Sequence, residues 1–202
     1  MQSSLSSLPT WVVTPMADAL DPDRAWEVLR SADLICDETS VQRALHRLAE
    51  EITTRLRERF PLVLSVMGGS VVFSGQLLPL LQFPLEFDYV HATRYDGTTR
   101  GGTLVWKVLP HVPVAGRAVL VLDDILDVGD TMTAIKRRLL EDGAAEVLCA
   151  VFADKDLGRP KPIRADFVGV TVPDRYVFGF GMDVEEAWRN LPAIYALKGR
   201  DQ

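Results

Sequence analysis

The sequence predicts an α/β fold whose core is a central, mostly parallel sheet flanked by helices. Two observations predict it: short apolar runs alternate along the chain with stretches of helical periodicity, and residues 118–122 are apolar throughout. Strands that alternate with helices favour a parallel sheet. A continuous apolar run that includes β-branched residues is typical of a strand buried on both faces of such a sheet.

Each predicted element follows from its own pattern. Apolar residues recur at three- and four-residue steps from Val41 to Leu56, which predicts an amphipathic helix capped by Thr39 or Ser40. Further helices are predicted from the glycine-rich turn at residues 68–70 to about residue 81, and over residues 131–140. The predicted strands cover residues 62–67, 85–92, 103–108, 118–122, 147–152, 167–172 and 176–180.

The composition limits the kinds of function. With 202 residues, 48% of them hydrophobic and 25% charged, the chain fits one ordinary globular domain. The net charge of −6 does not favour nucleic acid as a partner, and no segment approaches the roughly 20 apolar residues of a membrane span. The N-terminal residues lack the features of a signal peptide. Neither Cys36 nor Cys149 stands in a disulfide or zinc-binding spacing, so we expect a reducing, cytoplasmic location.

The most informative segment is the turn after the buried strand. Ligands of open parallel sheets bind beyond the carboxyl ends of the strands, and Asp123, Asp124 and Asp127 stand at that end. The following helix N-terminus favours an anion such as phosphate. Gly129 allows the backbone to approach a ligand, and Thr131 can cap the helix and donate its hydroxyl. Carboxylates fit there if they bind sugar hydroxyls or a cation, or if one is a base; the alternative is an acidic turn in solvent.

Other nucleotide sites find little support in the sequence. It contains no GxxxxGK[ST] phosphate loop, and no GxGxxG follows a first strand. A phospho-receiver domain also uses clustered aspartates, but its acidic pair would be expected near the start of the chain. A site for a phosphorylated ligand, with carboxylates that bind sugar hydroxyls or a cation or act as a base, remains the favoured interpretation.

Residues 123–131, DDILDVGDT, resemble the ribose-phosphate signature of the type I phosphoribosyltransferases. Four further segments are similar to those of the hypoxanthine-guanine phosphoribosyltransferases and stand in the family's order. They are the pyrophosphate loop VMGGSVVFSGQLL, the flexible loop RYDGTTRGG, the lysine segment ADKDLG, and the base-stacking segment PDRYVFGFGMD with an arginine beyond it. Because one motif alone would indicate only the superfamily, the ordered set over about residues 41–198 is what identifies the family.

The resemblance implies a reaction, a cofactor and an architecture. The family transfers a 5-phosphoribosyl group from phosphoribosyl pyrophosphate (PRPP) to N9 of a 6-oxopurine with Mg2+, giving IMP or GMP and pyrophosphate. One domain over residues 1–202 is expected, with a core at about 40–165 and a small hood from about 1–38 and 166–202. Relatives form dimers or tetramers, so Val71, Leu77 and Leu81 on the second helix are either a subunit contact or core.

Roles for the acidic turn also come from the resemblance. Asp123 and Asp124 would bind the ribose hydroxyls, directly or through Mg2+, and Asp127 would lie near purine N7 as the general base or acid. The 5′-phosphate would be cradled by Val128, Gly129, Asp130 and Thr131.

The resemblance assigns the base and the second metal to later segments. Lys155 would donate to the oxygen at C6, Tyr176 would stack on the base, and the Val177 backbone would face the 2-position. Asp183 would bind a second Mg2+, and Arg189 would reach the pyrophosphate. Without the resemblance, Lys155 would be a solvated lysine, Tyr176 a core aromatic and Arg189 a surface residue.

The pyrophosphate loop departs from the family pattern. Many relatives carry a lysine where this chain has Met67, so binding by Met67, Gly68 and Gly69 must rest on backbone groups. A non-proline cis peptide bond is expected in this loop, between Val66 and Met67.

The flexible loop departs as well. Arg94 and Tyr95 stand where relatives often have Ser-Tyr. We expect this loop to close over the site and exclude water. Two alternatives to a hypoxanthine-guanine enzyme remain: a PRPP-sensing regulator of the same fold that binds RNA or protein, and a transferase for another base such as xanthine.

Overall fold

The computed structural model describes residues 20–94 and 104–199. The helices within these ranges are α1 (Pro22–Ser31), α2 (Glu38–Leu56), α3 (Val71–Leu77), which runs on into a 3-10 turn (Leu78–Leu80), and α4 (Asp130–Glu141). The strands are β1 (Asp33–Cys36), β2 (Leu62–Val66), β3 (Glu86–Arg94), β4 (Leu104–Val108), β5 (Ala118–Leu126), β6 (Glu146–Asp156), β7 (Phe167–Pro173), β8 (Val177–Phe178) and β9 (Ile194–Ala196).

The larger sheet confirms the predicted fold class. Its six strands lie in the order β4-β3-β2-β5-β6-β7, and every neighbouring pair is parallel except β3 and β4. Strand β5 lies near the middle, between β2 and β6, and its first five residues are all buried. The residues that follow β5 therefore emerge at the centre of the carboxyl edge of the sheet, where ligands of this fold class bind.

Helices cover both faces of the larger sheet. On one face, α2 and α3 pack through a cluster that includes Leu48, Ile52, Phe73 and Phe152. On the other, Ile135 of α4 and its buried neighbours pack against β5 and β6. Burial of apolar surface on both faces explains why the central strands are apolar at nearly every position.

Three antiparallel strands form a second, separate sheet in the order β1-β9-β8. Helix α1 has no fully buried residue, and its partly buried Val28 and Leu29 pack against a small cluster around Phe178. Arg175 links the start of β1 to the residue after β9. Its guanidinium donates to Asp33 Oδ2 and to the Leu197 carbonyl, both at 2.7 Å. The sequence interpretation assigned no element to residues 22–36.

Several predicted boundaries were wrong. Helix α2 begins at Glu38, because the Asp37 carboxylate accepts from Ser40 N at 2.8 Å and caps the helix in place of Thr39 or Ser40. Helix α4 begins after Gly129, which has no side-chain cap, so Thr131 lies in the first turn and is not the cap. The core extends to Pro173 and past the predicted limit at 165, because β7 pairs with β6.

Two further predictions are refined by the packing. Strand β8 covers only Val177–Phe178 and belongs to the small sheet. Of the three apolar residues on the second predicted helix, Leu77 and Leu81 are buried in the core and only Val71 is exposed. In the described part of the chain no helix is both long and apolar enough to cross a membrane.

Candidate active site

The candidate site lies at the carboxyl edge of the larger sheet, where the ends of β2, β5 and β6 converge. A cavity of about 370 Å³ opens there between the β2–α3 loop, the β5–α4 loop and Arg189. A second cavity of about 180 Å³ adjoins it, and the two share Asp124, Ile125 and Asp127. The predicted residues that line the first are Met67, Gly69, Asp123, Asp124, Asp127, Val128, Gly129, Thr131 and Arg189. Those that line the second are Asp124, Asp127, Lys155, Tyr176, Val177 and Asp183.

The β5–α4 loop has the form of an anion site. Gly129 stands before the first residue of α4 with a left-handed backbone (φ 88°), a conformation that favours glycine. Its carbonyl accepts from Thr133 N at 3.0 Å and from Thr133 Oγ1 at 2.8 Å, which fixes the start of the helix. The free N–H groups of a helix N-terminus attract a phosphate. Asp130 is exposed as the first helical residue and does not line the cavity.

The acidic pair belongs to β5 itself, because the strand continues to Leu126. Asp123 Oδ1 accepts from Asp124 N at 3.0 Å, and Asp124 Oδ1 accepts from Ile125 N at 2.9 Å. Burial raises the pKa of Asp124, and burial together with the neighbouring Asp124 charge raises the pKa of Asp123 well above its usual range. A buried carboxylate, Asp124, beside a half-buried one, Asp123, forms a site that a cation would stabilise.

The carboxylates of Asp123 and Asp124 suit Mg2+ only if a substrate supplies further ligands. Among residues 20–94 and 104–199, no cluster of three or more His, Cys, Asp or Glu side chains is arranged to hold a metal by itself. Asp123 and Asp124 supply hard carboxylate oxygens, which Mg2+ prefers, and Mg2+ commonly takes its other ligands from phosphates and water. The acidic pair therefore fits a magnesium ion that arrives with a phosphorylated substrate.

The β2–α3 loop lies directly against the acidic pair. A Cβ added to Gly69 would lie 1.9 Å from Asp124 Oδ2, so only glycine fits here. The cis peptide bond of this loop joins Met67 and Gly68, one residue later than predicted. The reason is that Met67 N still donates to Val90 O at 2.8 Å and continues the pairing of β2 with β3. Gly68 is exposed on the same loop and lines neither cavity.

Three buried serines connect β2 to α3 below this loop. Ser65 Oγ lies 2.7 Å from Ser70 Oγ and 2.8 Å from Ser74 Oγ, and Ser70 Oγ donates to the Val66 carbonyl at 2.5 Å. Each hydroxyl has one proton, and a carbonyl only accepts. Ser70 must therefore accept from Ser65, and Ser65 from Ser74. The chain of donors runs in one direction and ends on the carbonyl of Val66, the last residue of β2.

Lys155 and Asp127 form the contact between the two cavities. Lys155 Nζ donates to Asp127 Oδ2 at 3.0 Å. The lysine side chain is 3% exposed, which rules out the alternative that it is a solvated residue. It is buried because β6 continues through Asp156 and places Lys155 within the strand. A buried ammonium group beside a half-exposed carboxylate offers a donor and an acceptor to one ligand.

The wall of the second cavity comes from the small sheet and the turn after it. Val177 is buried and pairs with Ala196 of β9. Tyr176 is half-buried and packs against the Phe178 cluster, so it lines the cavity and contributes to the core at once.

Asp183 and Arg189 are paired with each other. Arg189 Nη2 lies 2.7 Å from Asp183 Oδ1, and Arg189 Nη1 donates to the Gly181 carbonyl at 2.8 Å. The second Asp183 oxygen accepts from Glu186 N at 2.9 Å. The guanidinium still faces the first cavity, so Arg189 is a site residue rather than an isolated surface charge.

The segment that carries Arg189 is anchored on helix α1. Its residues Glu185, Glu186 and Trp188 have left-handed backbones, with φ of 50°, 67° and 70°. The Trp188 indole N–H donates to Ala25 O at 3.0 Å, and its ring meets Trp26 edge-on with centroids 5.0 Å apart. Sequence reasoning missed this anchor, because two tryptophans more than 160 residues apart give no local pattern.

The flexible loop is the part of the prediction that the structure leaves open. Arg94 ends strand β3. Tyr95 and the rest of the segment to residue 103 lie outside the described residues, so the expected closure stays a prediction.

The fold and the site together define the class of protein. A family model described as phosphoribosyl transferase domain matches residues 32–187. A hypoxanthine-guanine phosphoribosyltransferase of Lactococcus lactis is 36% identical over 166 residues, which is 82% of this chain and 90% of the relative. A hypoxanthine-guanine-xanthine phosphoribosyltransferase of Tritrichomonas foetus is 34% identical over 92% of this chain and 96% of its own.

Solved structures agree with these relatives. A crystal structure of a hypoxanthine phosphoribosyltransferase from Staphylococcus aureus superposes with a TM-score of 0.79 at 26% identity, covering 84% of this chain and 94% of that one. The chain therefore belongs to the hypoxanthine-guanine phosphoribosyltransferase family.

Proposed function

We propose that the chain transfers the 5-phosphoribosyl group of PRPP to N9 of hypoxanthine or guanine, giving IMP or GMP and pyrophosphate. The observation that carries this proposal is the Lys155–Asp127 pair at the junction of the two cavities. One cavity offers a helix N-terminus and carboxylates to a phosphorylated sugar. The other offers an ammonium group and an aromatic ring to a base, and the bond to be formed lies between them.

Base selection follows from the donor at Lys155. An ammonium group can only donate, so it favours the carbonyl oxygen at C6 of hypoxanthine and guanine over the amino group of adenine. Tyr176 and Val177 line the same cavity as Lys155, which supports the proposal that Tyr176 stacks on the ring and the Val177 backbone faces the 2-position. Recognition at the 2-position by backbone groups leaves xanthine as a further acceptor, and the Tritrichomonas relative is named for all three bases.

Asp127 is proposed as the general acid and base at purine N7. A positioned carboxylate can contribute roughly 10²–10⁴ to the rate. Its present partner is Lys155, so a bound 6-oxopurine would insert between the two groups and contact both. Asp123 and Asp124 are proposed to bind the ribose hydroxyls, and residues 128–131 the 5′-phosphate.

The leaving pyrophosphate is assigned to the β2–α3 loop and Arg189. Because Met67 has no charge, the loop contributes only backbone groups of Met67, Gly68 and Gly69. Bound Mg2+, with Asp123, Asp124 and Asp183 as proposed ligands, would neutralise charge on the pyrophosphate. Among the described residues that line this cavity, Arg189 is then the cation that the protein supplies.

Three further proposals concern the setting of the reaction. The small sheet and α1 would act as the hood over the purine. The enzyme would act as a dimer or tetramer. A cytoplasmic location is supported by two unpaired, buried cysteines, Cys36 and Cys149, and burial raises the pKa of Cys149 to about 12.

An ultraviolet assay tests the proposed reaction. The protein is offered hypoxanthine, guanine, xanthine and adenine separately, each with PRPP and Mg2+. We expect conversion of hypoxanthine and guanine, little of adenine, and loss of all conversion when Mg2+ is chelated. Tight PRPP binding without conversion of any base would instead favour the PRPP-sensing regulator.

A further inference from the structure

The segment between β6 and β7 packs against the back of the β5–α4 loop. A Cβ added to Gly129 would lie 3.2 Å from Ile163 Cγ2 and 3.5 Å from Pro162 Cδ, so the two segments are in close contact. Ile163 also packs against the α4 side of the core. The loop proposed to bind the 5′-phosphate is thus supported from behind by a segment with no assigned role.

Lys161 extends from this segment to the end of β5. Its side chain is 9% exposed, and Nζ donates to the Leu126 carbonyl at 2.6 Å and to Asp154 Oδ1 at 2.5 Å. Leu126 and Asp154 are paired across β5 and β6, so Lys161 bridges these strands at their carboxyl ends. Leu126 is the residue immediately before Asp127.

Three features argue for more than a general stabilising role. An ammonium group costs a large desolvation free energy when buried unless it is paired, so its position is fixed by both acceptors. The acceptor on β5 is the carbonyl of the last residue of the strand, and the β5–α4 loop begins directly after it. Lys161 lines neither cavity, so it acts on the ligand only through the backbone.

We propose that Lys161 is a positioning residue, which orients the phosphate-binding β5–α4 loop by fixing the Leu126 carbonyl. This rests on the proposed function, since it assumes that the loop binds a 5′-phosphate. The charge of Lys161 is neutralised locally by Asp154, so its contribution is geometric. Loss of the hydrogen bond from Lys161 to the Leu126 carbonyl should weaken recognition of the 5′-phosphate and leave recognition of the base nearly unchanged.

Comparison of IMP with inosine tests this role, because the two ligands differ only by the 5′-phosphate. In Lys161→Met we expect IMP affinity and kcat/KM for PRPP to fall about tenfold, as for loss of one charge-assisted hydrogen bond. Inosine affinity should stay within about twofold. Lys161→Arg keeps the charge and the donors and should recover most of the loss.

Lys136→Met is the matched control, since Lys136 also faces a carboxylate, Asp166 at 3.8 Å, but lies in the middle of α4 rather than at the β5–α4 loop. It should leave both affinities unchanged. If Lys161→Met lowers the melting temperature while the ratio of IMP to inosine affinity stays that of the wild type, the positioning role is overturned.

A second variant covers the case in which Lys161→Met does not fold. Asp154→Asn keeps the lysine but removes the charge that orients it, and we expect a fall of about threefold in the same ratio; an unchanged ratio overturns the proposal. Turnover of hypoxanthine by the wild type decides separately whether the proposed function holds.

Discussion

At the scale of single residues, Asp127 is the group on which the proposed chemistry most directly depends. It is the one carboxylate of the acidic turn that contacts Lys155, and it lines both cavities. Asp123 and Asp124 differ from it in being held inside β5 by neighbouring backbone N–H groups. This difference supports the proposal that Asp127 faces the base while Asp123 and Asp124 face the sugar.

We expect Asp127→Asn to lower kcat by roughly 10²–10⁴, because an amide cannot exchange a proton with purine N7. The amide oxygen can still accept from Lys155, so the fold and IMP binding should be kept. Steady-state kinetics and calorimetry with IMP measure the two effects. Wild-type turnover in this variant would remove Asp127 from the role of base.

We expect Asp123→Asn to raise the melting temperature at pH 8 in the absence of Mg2+. Burial raises the folded-state pKa of Asp123, so its charge costs stability above that pKa, and the cost disappears as pH falls to the unfolded value of about 3.9. The difference between variant and wild type should therefore shrink between pH 8 and pH 4. Asp174→Asn removes an exposed charge of the same kind and should show no such trend. If the difference in melting temperature between variant and wild type stays constant from pH 8 to pH 4, burial of Asp123 does not have the effect assigned to it.

At the scale of elements, two connections that line the site are held in place by hydrogen bonds to neighbouring elements. The serine chain from Ser74 through Ser65 to Ser70 fixes the β2–α3 loop from below. The Trp188 indole fixes the Arg189 segment from the side of α1.

We expect Ser65→Ala to lower the free energy of unfolding by about 1–3 kcal/mol, because it leaves Ser70 and Ser74 buried without their shared partner. Ser31→Ala removes an exposed hydroxyl that donates to Val28 O at 3.0 Å and should change stability by about 0.5 kcal/mol or less. Urea unfolding measures both. If both variants lower the free energy of unfolding equally, the buried serine chain stabilises the fold no more than one exposed hydrogen bond does.

We expect Trp188→Phe to raise KM for PRPP about fivefold with little change in KM for the base, since one hydrogen bond of about 1 kcal/mol is lost and Arg189 is less well placed. Trp26→Phe keeps the edge-on ring contact and serves as the control. Equal changes in both KM values for Trp188→Phe would contradict a role confined to the pyrophosphate end.

These elements also show what could be predicted from the sequence. The α/β class and the acidic turn were predictable, because the apolar run of β5 and the polar residues after it are local patterns. Lys161 and the serine chain were not, since each depends on contacts between segments that only the folded chain brings together. The wrong cap of α2 has a local cause, because Asp37 lies just outside the window in which the apolar repeat begins.

At the scale of the whole molecule, segments that are distant in sequence meet at the site. Two glycines, Gly69 and Gly181, allow these segments to pack closely. Gly69 lies against Asp124, and a Cβ on Gly181 would lie 2.3 Å from the Gly69 carbonyl. The β2–α3 loop is thus enclosed between β5 and the turn that precedes Asp183.

We expect Gly69→Ala to abolish measurable turnover, because its Cβ cannot lie 1.9 Å from Asp124 Oδ2 and either the loop or the Asp124 carboxylate must move. Gly75→Ala is the matched control: it lies in α3 with nothing within 4 Å of an added Cβ, and should stabilise the helix by about 0.5–1 kcal/mol. Full activity in Gly69→Ala would show that the loop tolerates displacement.

The central position of β9 in the small sheet has a consequence for how the protein is made. Strand β9 pairs with both β1 and β8, and it is the last of the described strands to leave the ribosome. All six strands of the larger sheet precede it, and chains begin to fold from the N-terminal side during synthesis. A nascent chain would therefore form the β5–α4 loop, which is proposed to bind the sugar phosphate, before the small sheet, which is proposed to contact the base.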